Sequence, residues 1–417
     1  MEGCKRRIVL IGKRIMIVCM CIMLLCGCSC GDKAGRNETI LVDKSTLNTS
    51  QTTIEETTAK ESIIEETTTS YIVTEPTTTE GKSETVVTTA EKKTTVAQTT
   101  TKQETTTQFV VDETGKTPYE AHGRLQVVGT KLVDQYGNPY QLKGASTHGM
   151  AWFPQYVSYD TFKYLKESFG VNVVRLAMYT AEYNGYSEGG DKNYLKNLVK
   201  QGIQAATDLG LYVIIDWHIL ADQTPHKYKG DAVEFFREMS STYKNYDNVI
   251  YEICNEPNGS TSWADIKAYA NEIIPVIRAN DKDAIIIVGT PTWSQDVDLA
   301  SKDKITGYDN IMYALHFYAA THKQWLRDKA QAAINNGCAL FVSEFSICDA
   351  SGSGGIDVNE ANKWIEFLNK NNISYVGWNL SNKAETSAMF QSWCGKISGF
   401  DDSELTGWAK WLRSVIK

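Results

Sequence analysis

Two glutamates stand out because of the residues that lead up to them. Glu256 closes the segment Ile250-Tyr251-Glu252-Ile253-Cys254-Asn255-Glu256-Pro257, and Glu344 interrupts Phe341-Val342-Ser343-Glu344-Phe345. A short apolar, β-branched run that ends on polar residues and then a turn reads as a buried strand carrying a side chain to one edge of a sheet. Other runs end in the same manner. Leu142 to Ser146 leads to His148, and Val173 to Met178 contains Arg175 and precedes Tyr179. Tyr212 to Asp216 leads to Trp217-His218, Ile311 to Leu315 to His316-Phe317-Tyr318, and Tyr375 to Trp378 to Asn379. Two carboxylates brought to one edge can cleave an acetal: one protonates the leaving oxygen while the other attacks or activates water. Taken alone, Glu256 before Pro257 could simply open a helix, where an acidic residue meets the macrodipole. Glu344 could be an ordinary edge charge, and the histidines could be satisfied core residues. Arg175 is harder to explain away, because a charge inside an apolar strand is costly without a carboxylate or hydrogen-bonding partner. A glutamate kept ionised nearby would supply one.

The elements that must position these groups follow one rhythm. The apolar runs above, completed by Ala284 to Val288, number eight. Between them lie helical patterns such as Asn193 to Leu209, Ala232 to Tyr243, Ile266 to Ala279 and Asn359 to Asn371. Eight strand–helix units in about three hundred residues predict an α/β fold, the (β/α)8 TIM barrel, whose chemistry gathers at the C-terminal ends of its strands. A doubly wound open sheet would be expected to show a Gly-rich loop after its first strand, and Gly144-Ala145-Ser146 is not GxGxxG. Before the barrel, Leu125 to Leu142 alternates around turn residues at Gly129 and Tyr136-Gly137-Asn138-Pro139, as a hairpin does.

With these motifs in place, Gly123 to Lys417 resembles glycoside hydrolase family 5, in particular its bacterial endo-β-1,4-glucanases. The segment ending in Asn255-Glu256-Pro257 is similar to that family's acid/base signature, and Phe341 to Phe345 to its nucleophile strand. The resemblance implies a retaining double displacement with Glu256 as acid/base, Glu344 as nucleophile and no cofactor or metal. It implies that Asn255 bonds the sugar 2-hydroxyl, that Arg175 and Tyr318 orient Glu344 and hold it ionised, and that His316 supports Glu256. His148, His218 and Tyr179 would line the sugar sites on the glycone side. In Trp378-Asn379-Leu380-Ser381-Asn382-Lys383-Ala384-Glu385, Trp378 would be a sugar platform, with Lys383 and Glu385 gripping a more distant unit. Pyranose C–H faces pack on aromatic rings, so Trp152 and Trp293 are further platform candidates on the glycone and leaving-group sides; core packing is their plain alternative. Mannan, xyloglucan or mixed-linkage glucan are rival substrates for the same machinery. Two other classes compete: a metal-dependent hydrolase, for which no HxH pair is present, and a non-catalytic glycan-binding surface protein.

Composition restricts the partners. The net charge is −8, and no basic stripe with interleaved aromatics occurs, so nucleic acid is not expected. Of the ten cysteines, Cys4, Cys19, Cys21, Cys26, Cys28 and Cys30 fall in the first thirty residues. Cys254, Cys338, Cys348 and Cys394 contain no CxxC pair, and buried free thiols are the expectation, with one disulfide open. Basic residues from Lys5 to Arg14 precede the apolar run Ile15 to Cys26, which has the form of an export signal and is short for a membrane span. Leu25-Cys26-Gly27-Cys28 resembles a bacterial lipobox, which would make Cys28 a lipid-bearing N-terminus and a membrane tether; ordinary cleavage and free secretion is the alternative. The expected organisation is therefore an export signal at 1–28, a disordered Thr-rich stalk at 29–116 and a single-chain catalytic domain at 117–417, outside the cell. The stalk has too few large apolar residues to offset its ordering entropy.

Overall fold

The computed structural model describes residues 109–417; the expected export signal, Cys28 and nearly all of the Thr-rich stalk lie outside the described residues. Thr117 caps the helix Pro118–His122 through a capping box with Glu120, and Pro118 occupies the first turn, where its missing N–H costs nothing. A hairpin follows, β1 (Gln126–Val128) and β2 (Lys131–Val133), turning at Gly129 with φ 60°.

Eight parallel strands then close a barrel: β3 (Lys143–Thr147), β4 (Val173–Tyr179), β5 (Tyr212–His218), β6 (Val249–Glu252), β7 (Ile285–Val288), β8 (Ile311–Tyr318), β9 (Leu340–Ser346) and β10 (Ser374–Leu380), with β10 pairing back to β3. Alternation along each strand divides the side chains between two environments. On β4, Val174, Leu176 and Met178 face the helices, while Val173, Arg175, Ala177 and Tyr179 face the axis. The bottom of the interior is apolar, where Val173, Ile214, Ile250, Met312 and Phe341 pack with Leu125 and Leu132 of the hairpin segment. Polar side chains take over higher up. Several strands therefore run past the ends that apolarity alone predicts: β5 to His218, β8 to Tyr318, β9 to Ser346.

The outer helices bury one stripe each. Lys192–Asp208, capped by Asp191, buries Leu195, Leu198, Val199, Ile203 and Ala206 at helical spacing. Gly202 lets this helix sit close to β4, since a Cβ there would lie 2.7 Å from the Leu176 side chain and force it to shift. The four cysteines of the described region are free and buried, with Cys254 packed in the core behind Asn255.

Candidate active site

Arg175 is fully buried on the barrel axis, and its guanidinium is spent on five contacts. Nε donates to Glu252 Oε2 at 2.7 Å, Nη1 to Ser146 Oγ at 3.3 Å and Glu344 Oε2 at 3.4 Å. Nη2 donates to Asn255 Oδ1 at 2.6 Å and faces Asp216 Oδ2 at 3.0 Å. The partner that a buried arginine requires is thus foremost Glu252, with Glu344 the longer contact. Burial drives Asp216 well above the usual carboxylate range, against the pull of Arg175 and with the push of Glu252 and Glu344. A site with one guanidinium and three carboxylates relieves its excess negative charge in that way. Asp216 also lies 2.6 Å from His218 Nδ1, and His218 Nε2 lies 3.2 Å from Asn255 Nδ2, which donates as well to Ile219 O at 3.1 Å. Asn255 is accordingly held on both sides of its amide, beneath the cavity rather than lining it.

Above this floor, Glu344 receives the Tyr318 hydroxyl on Oε1 at 2.7 Å and Arg175 on Oε2. Glu256 Oε1 lies 3.0 Å from His316 Nδ1, and its other oxygen makes no hydrogen bond among the described residues. One oxygen of each glutamate and one nitrogen of His316 all fall within 4.8 Å of one another. Burial lifts the Glu344 carboxyl above its ordinary range and the charge of Glu256 adds to it, while His316, Arg175 and Tyr318 oppose. Two carboxylates this close hold their first proton jointly. Donors on both Glu344 oxygens oppose its protonation. Burial pulls His316 down, yet the carboxylates around it, Glu252 and Glu256 first, keep the ring up at about 9.

Both glutamates line a cavity of about 550 Å³ at the C-terminal end of the barrel, with His148, Tyr179, His218, Trp378, Lys383 and Glu385 on one side and Trp293 on another. Lys383 Nζ is 2.7 Å from Glu385, which Asn379 Nδ2 bonds at 2.9 Å, and the Trp378–Asn379 peptide bond is cis. His148 lies 3.8 Å from Glu385; burial, then Lys383, keeps it below the usual histidine range. Trp152 does not line the cavity: half-buried, it packs on Tyr179 at 4.8 Å, with Nε1 bonded to Tyr183 O. Trp293 is 44% exposed on a turn where Thr292, Trp293 and Ser294 all have φ near +56°. Such backbone costs about 1–2 kcal/mol per residue. It is clamped to the Glu256 segment: Trp293 N donates to Pro257 O at 3.0 Å and Ser294 Oγ to Asn255 O at 2.7 Å.

Residues 133–384, more than half of the chain, match the family described as Cellulase (glycosyl hydrolase family 5). The chain belongs to glycoside hydrolase family 5. Among its relatives, an endoglucanase of Clostridium saccharobutylicum is 52% identical over 285 residues, 68% of this chain and 63% of that protein. Endoglucanase A of Butyrivibrio fibrisolvens is 48% identical over 298 residues, 71% and 69% of the two chains. The solved structure of cellulase Cel5C_n superposes with a TM-score of 0.69 at 42% identity, covering 73% of this chain and 94% of that one. A catalytic-domain variant of Thermobifida fusca endoglucanase Cel5A in complex with cellotetraose gives 0.68 at 37% identity, covering 72% and 99%.

Within this family 5 domain the structure gathers almost every residue singled out from the sequence at one barrel end; Trp152 stands just outside the cavity. Sequence reading passed over Glu252, Asp216 and Ser343 below the glutamates, and His322, Gln295, Ser351 and Gly352 in the cavity wall. Glu252 carried a usable signal. It lies two residues after Ile250 on the inward face of β6, so the cost that flagged Arg175 flags its partner too. His322 had none: its Nδ1 accepts from Tyr318 N at 2.8 Å, a contact set by the loop after β8.

Proposed function

We propose that this chain is an endo-β-1,4-glucanase acting by retaining double displacement. The observation that carries the reading is that one oxygen of Glu256 and one of Glu344 come within 4.8 Å, close enough to favour the shorter of the two carboxylate spacings. Retention calls for a carboxylate separation of about 5–5.5 Å, whereas inversion leaves about 6.5–9.5 Å for a water. Glu344 attacks the anomeric carbon while Glu256 gives its proton to the departing oxygen. Glu256 then takes a proton from water, which hydrolyses the glycosyl-enzyme. Once Glu344 is esterified its charge no longer opposes ionisation of Glu256, so the acid becomes the base. Endoglucanases among the relatives, and cellotetraose in the Thermobifida structure, support β-1,4-glucan as substrate over the other glycans. Carboxymethylcellulose should lose viscosity faster than it gains reducing ends, and NMR of the first product should show a retained anomer. An inverted first product would remove the nucleophile from Glu344.

The convergence of Glu256, His316 and Glu344 also has the form of a three-ligand metal site. Both nitrogens of His316 are engaged, by Glu256 and by Ser343 at 2.9 Å, and a protonated ring has no lone pair for a metal. Activity should survive dialysis against EDTA; loss restored by a divalent ion would favour the metal reading. From the sequence we further propose that residues 1–28 direct export, that 29–116 act as a spacer, and that Cys28 tethers the domain to the outer face of a membrane. Cys28→Ala should move the enzyme from the membrane fraction to the medium.

A further inference from the structure

Glu252 does not line the cavity and is completely buried, yet its two oxygens lead to both glutamates. Oε2 accepts from Arg175 Nε, whose Nη1 donates to Glu344. Oε1 accepts from Ser343 Oγ at 2.6 Å, and Ser343 Oγ lies 2.9 Å from His316 Nε2, whose ring reaches Glu256 through Nδ1. We infer that Glu252 is a positioning residue common to both catalytic glutamates, orienting Glu256 through Ser343 and His316, and Glu344 through Arg175. This rests on the roles proposed above for the pair.

Proton inventory gives the arrangement its content. An ionised Glu252 only accepts, so the single Ser343 hydroxyl proton is committed to it. Ser343 can then only accept from His316, which puts a proton on Nε2 in either charge state of the ring. What varies is Nδ1. That nitrogen faces Glu256 Oε1 at 3.0 Å, and the anion of Glu252, one serine away, favours the cationic ring. Arg175, with carboxyl groups of Glu252, Asp216 and Glu344 around it, divides its charge among them. The groups facing Glu252 are therefore Arg175, His316 and Ser343 directly, with Asp216, Glu344 and Glu256 beyond them. Despite its burial Glu252 is held below the usual carboxylate range, first by Arg175 and then by His316.

The fold makes room for this at one irregular place. Ala314 pairs with Phe341 but His316 with Glu344, so β9 carries one extra residue opposite β8. This bulge lets Ser343 and its neighbour Glu344 both reach the interior, which strict alternation forbids. One residue goes down to Glu252 and the next up to the cavity.

The two branches can be separated. In Glu252→Gln, the neutral amide offers one acceptor where two were used, and Arg175 loses a competing anion. The His316 titration followed by NMR should then fall, and the acid limb of kcat/KM should move about one pH unit lower as Arg175 serves Glu344 more fully. Ser343→Ala cuts only the histidine branch: His316 should titrate lower without the downward move of the acid limb, and Ser343→Thr, which keeps the hydroxyl, should restore wild-type titration. Loss of kcat with both titrations unmoved in Glu252→Gln would reduce Glu252 to a structural residue and overturn the inference. If Glu252→Gln does not fold, the serine pair decides: unchanged His316 titration in Ser343→Ala overturns it. Anomeric retention and the Glu344→Gln loss test the catalytic roles separately from these shifts.

Discussion

The floor of the site and its rim are built on opposite principles. On the floor, Arg175, Asp216, Glu252 and Asn255 are fully buried on the barrel strands or just beyond them, and the guanidinium donates on both sides. On the rim, Trp293 is 44% exposed and the Lys383 side chain 48%, both on loops. Charges that stabilise a transition state act most strongly where they are already oriented and water is excluded, which demands burial and rigid strands. A long neutral polymer must enter and leave, which favours exposed aromatic faces whose contacts need no desolvated charge. Substitutions on the floor should therefore change kcat and stability, and those on the rim chiefly KM.

The largest effect belongs to the glutamates. Glu344→Gln and Glu256→Gln should each lower kcat by about a thousandfold or more with unchanged circular dichroism; near-wild-type turnover in either would sink the assignment. Next comes Arg175→Met, which leaves buried carboxylates without their cation and should cost about 3–5 kcal/mol in urea denaturation. A loss within about 0.5 kcal/mol would mean the floor is less tightly coupled than its contacts imply. Neutralising Glu256 also removes one of the two influences that raise Glu344. In the proposed mechanism Glu344 attacks as the anion, so activity should fall as pH drops through its raised pKa. The acid limb should thus lie above the ordinary carboxylate range in the wild type and move to lower pH in the residual activity of Glu256→Gln. Trp378→Ala and Trp293→Ala should raise KM for cello-oligosaccharides by about tenfold, some 1–1.5 kcal/mol of ring contact; a fall in kcat at constant KM would place these rings in the chemistry instead. The smallest change is expected for Lys383→Met: the lysine is half exposed and the buried Glu385 keeps its bond from Asn379, so the melting temperature should fall by only a few degrees while binding of the longer oligosaccharides weakens.

Legibility followed the same division. The apolar runs marked all eight barrel strands, and the helix Lys192–Asp208 lies within one residue of its expected bounds. The strand ends were less accurate. β9 runs on to Ser346, because its apolar pattern is broken at Ser343 and Glu344 while the backbone continues its pairing with β8. Glu256, Glu344, Asn255, His316 and Tyr318 were legible because each is a polar residue at or near the end of an apolar run, and Arg175 because it is a charge inside one. Trp293 was named from composition alone, and nothing local predicted the left-handed turn that holds it against Pro257.

By itself, the sequence determined the barrel, the edge where its chemistry lies and the pair of glutamates, because periodicity and the cost of buried charge are local properties. Tertiary structure alone decided the distance between those glutamates and the donors on each. It also decided that Arg175 leans first on Glu252, across 77 residues of chain. Those depend on barrel closure, on the bulge in β9 and on which side chains meet at the axis. None of these is written in the neighbourhood of a single residue.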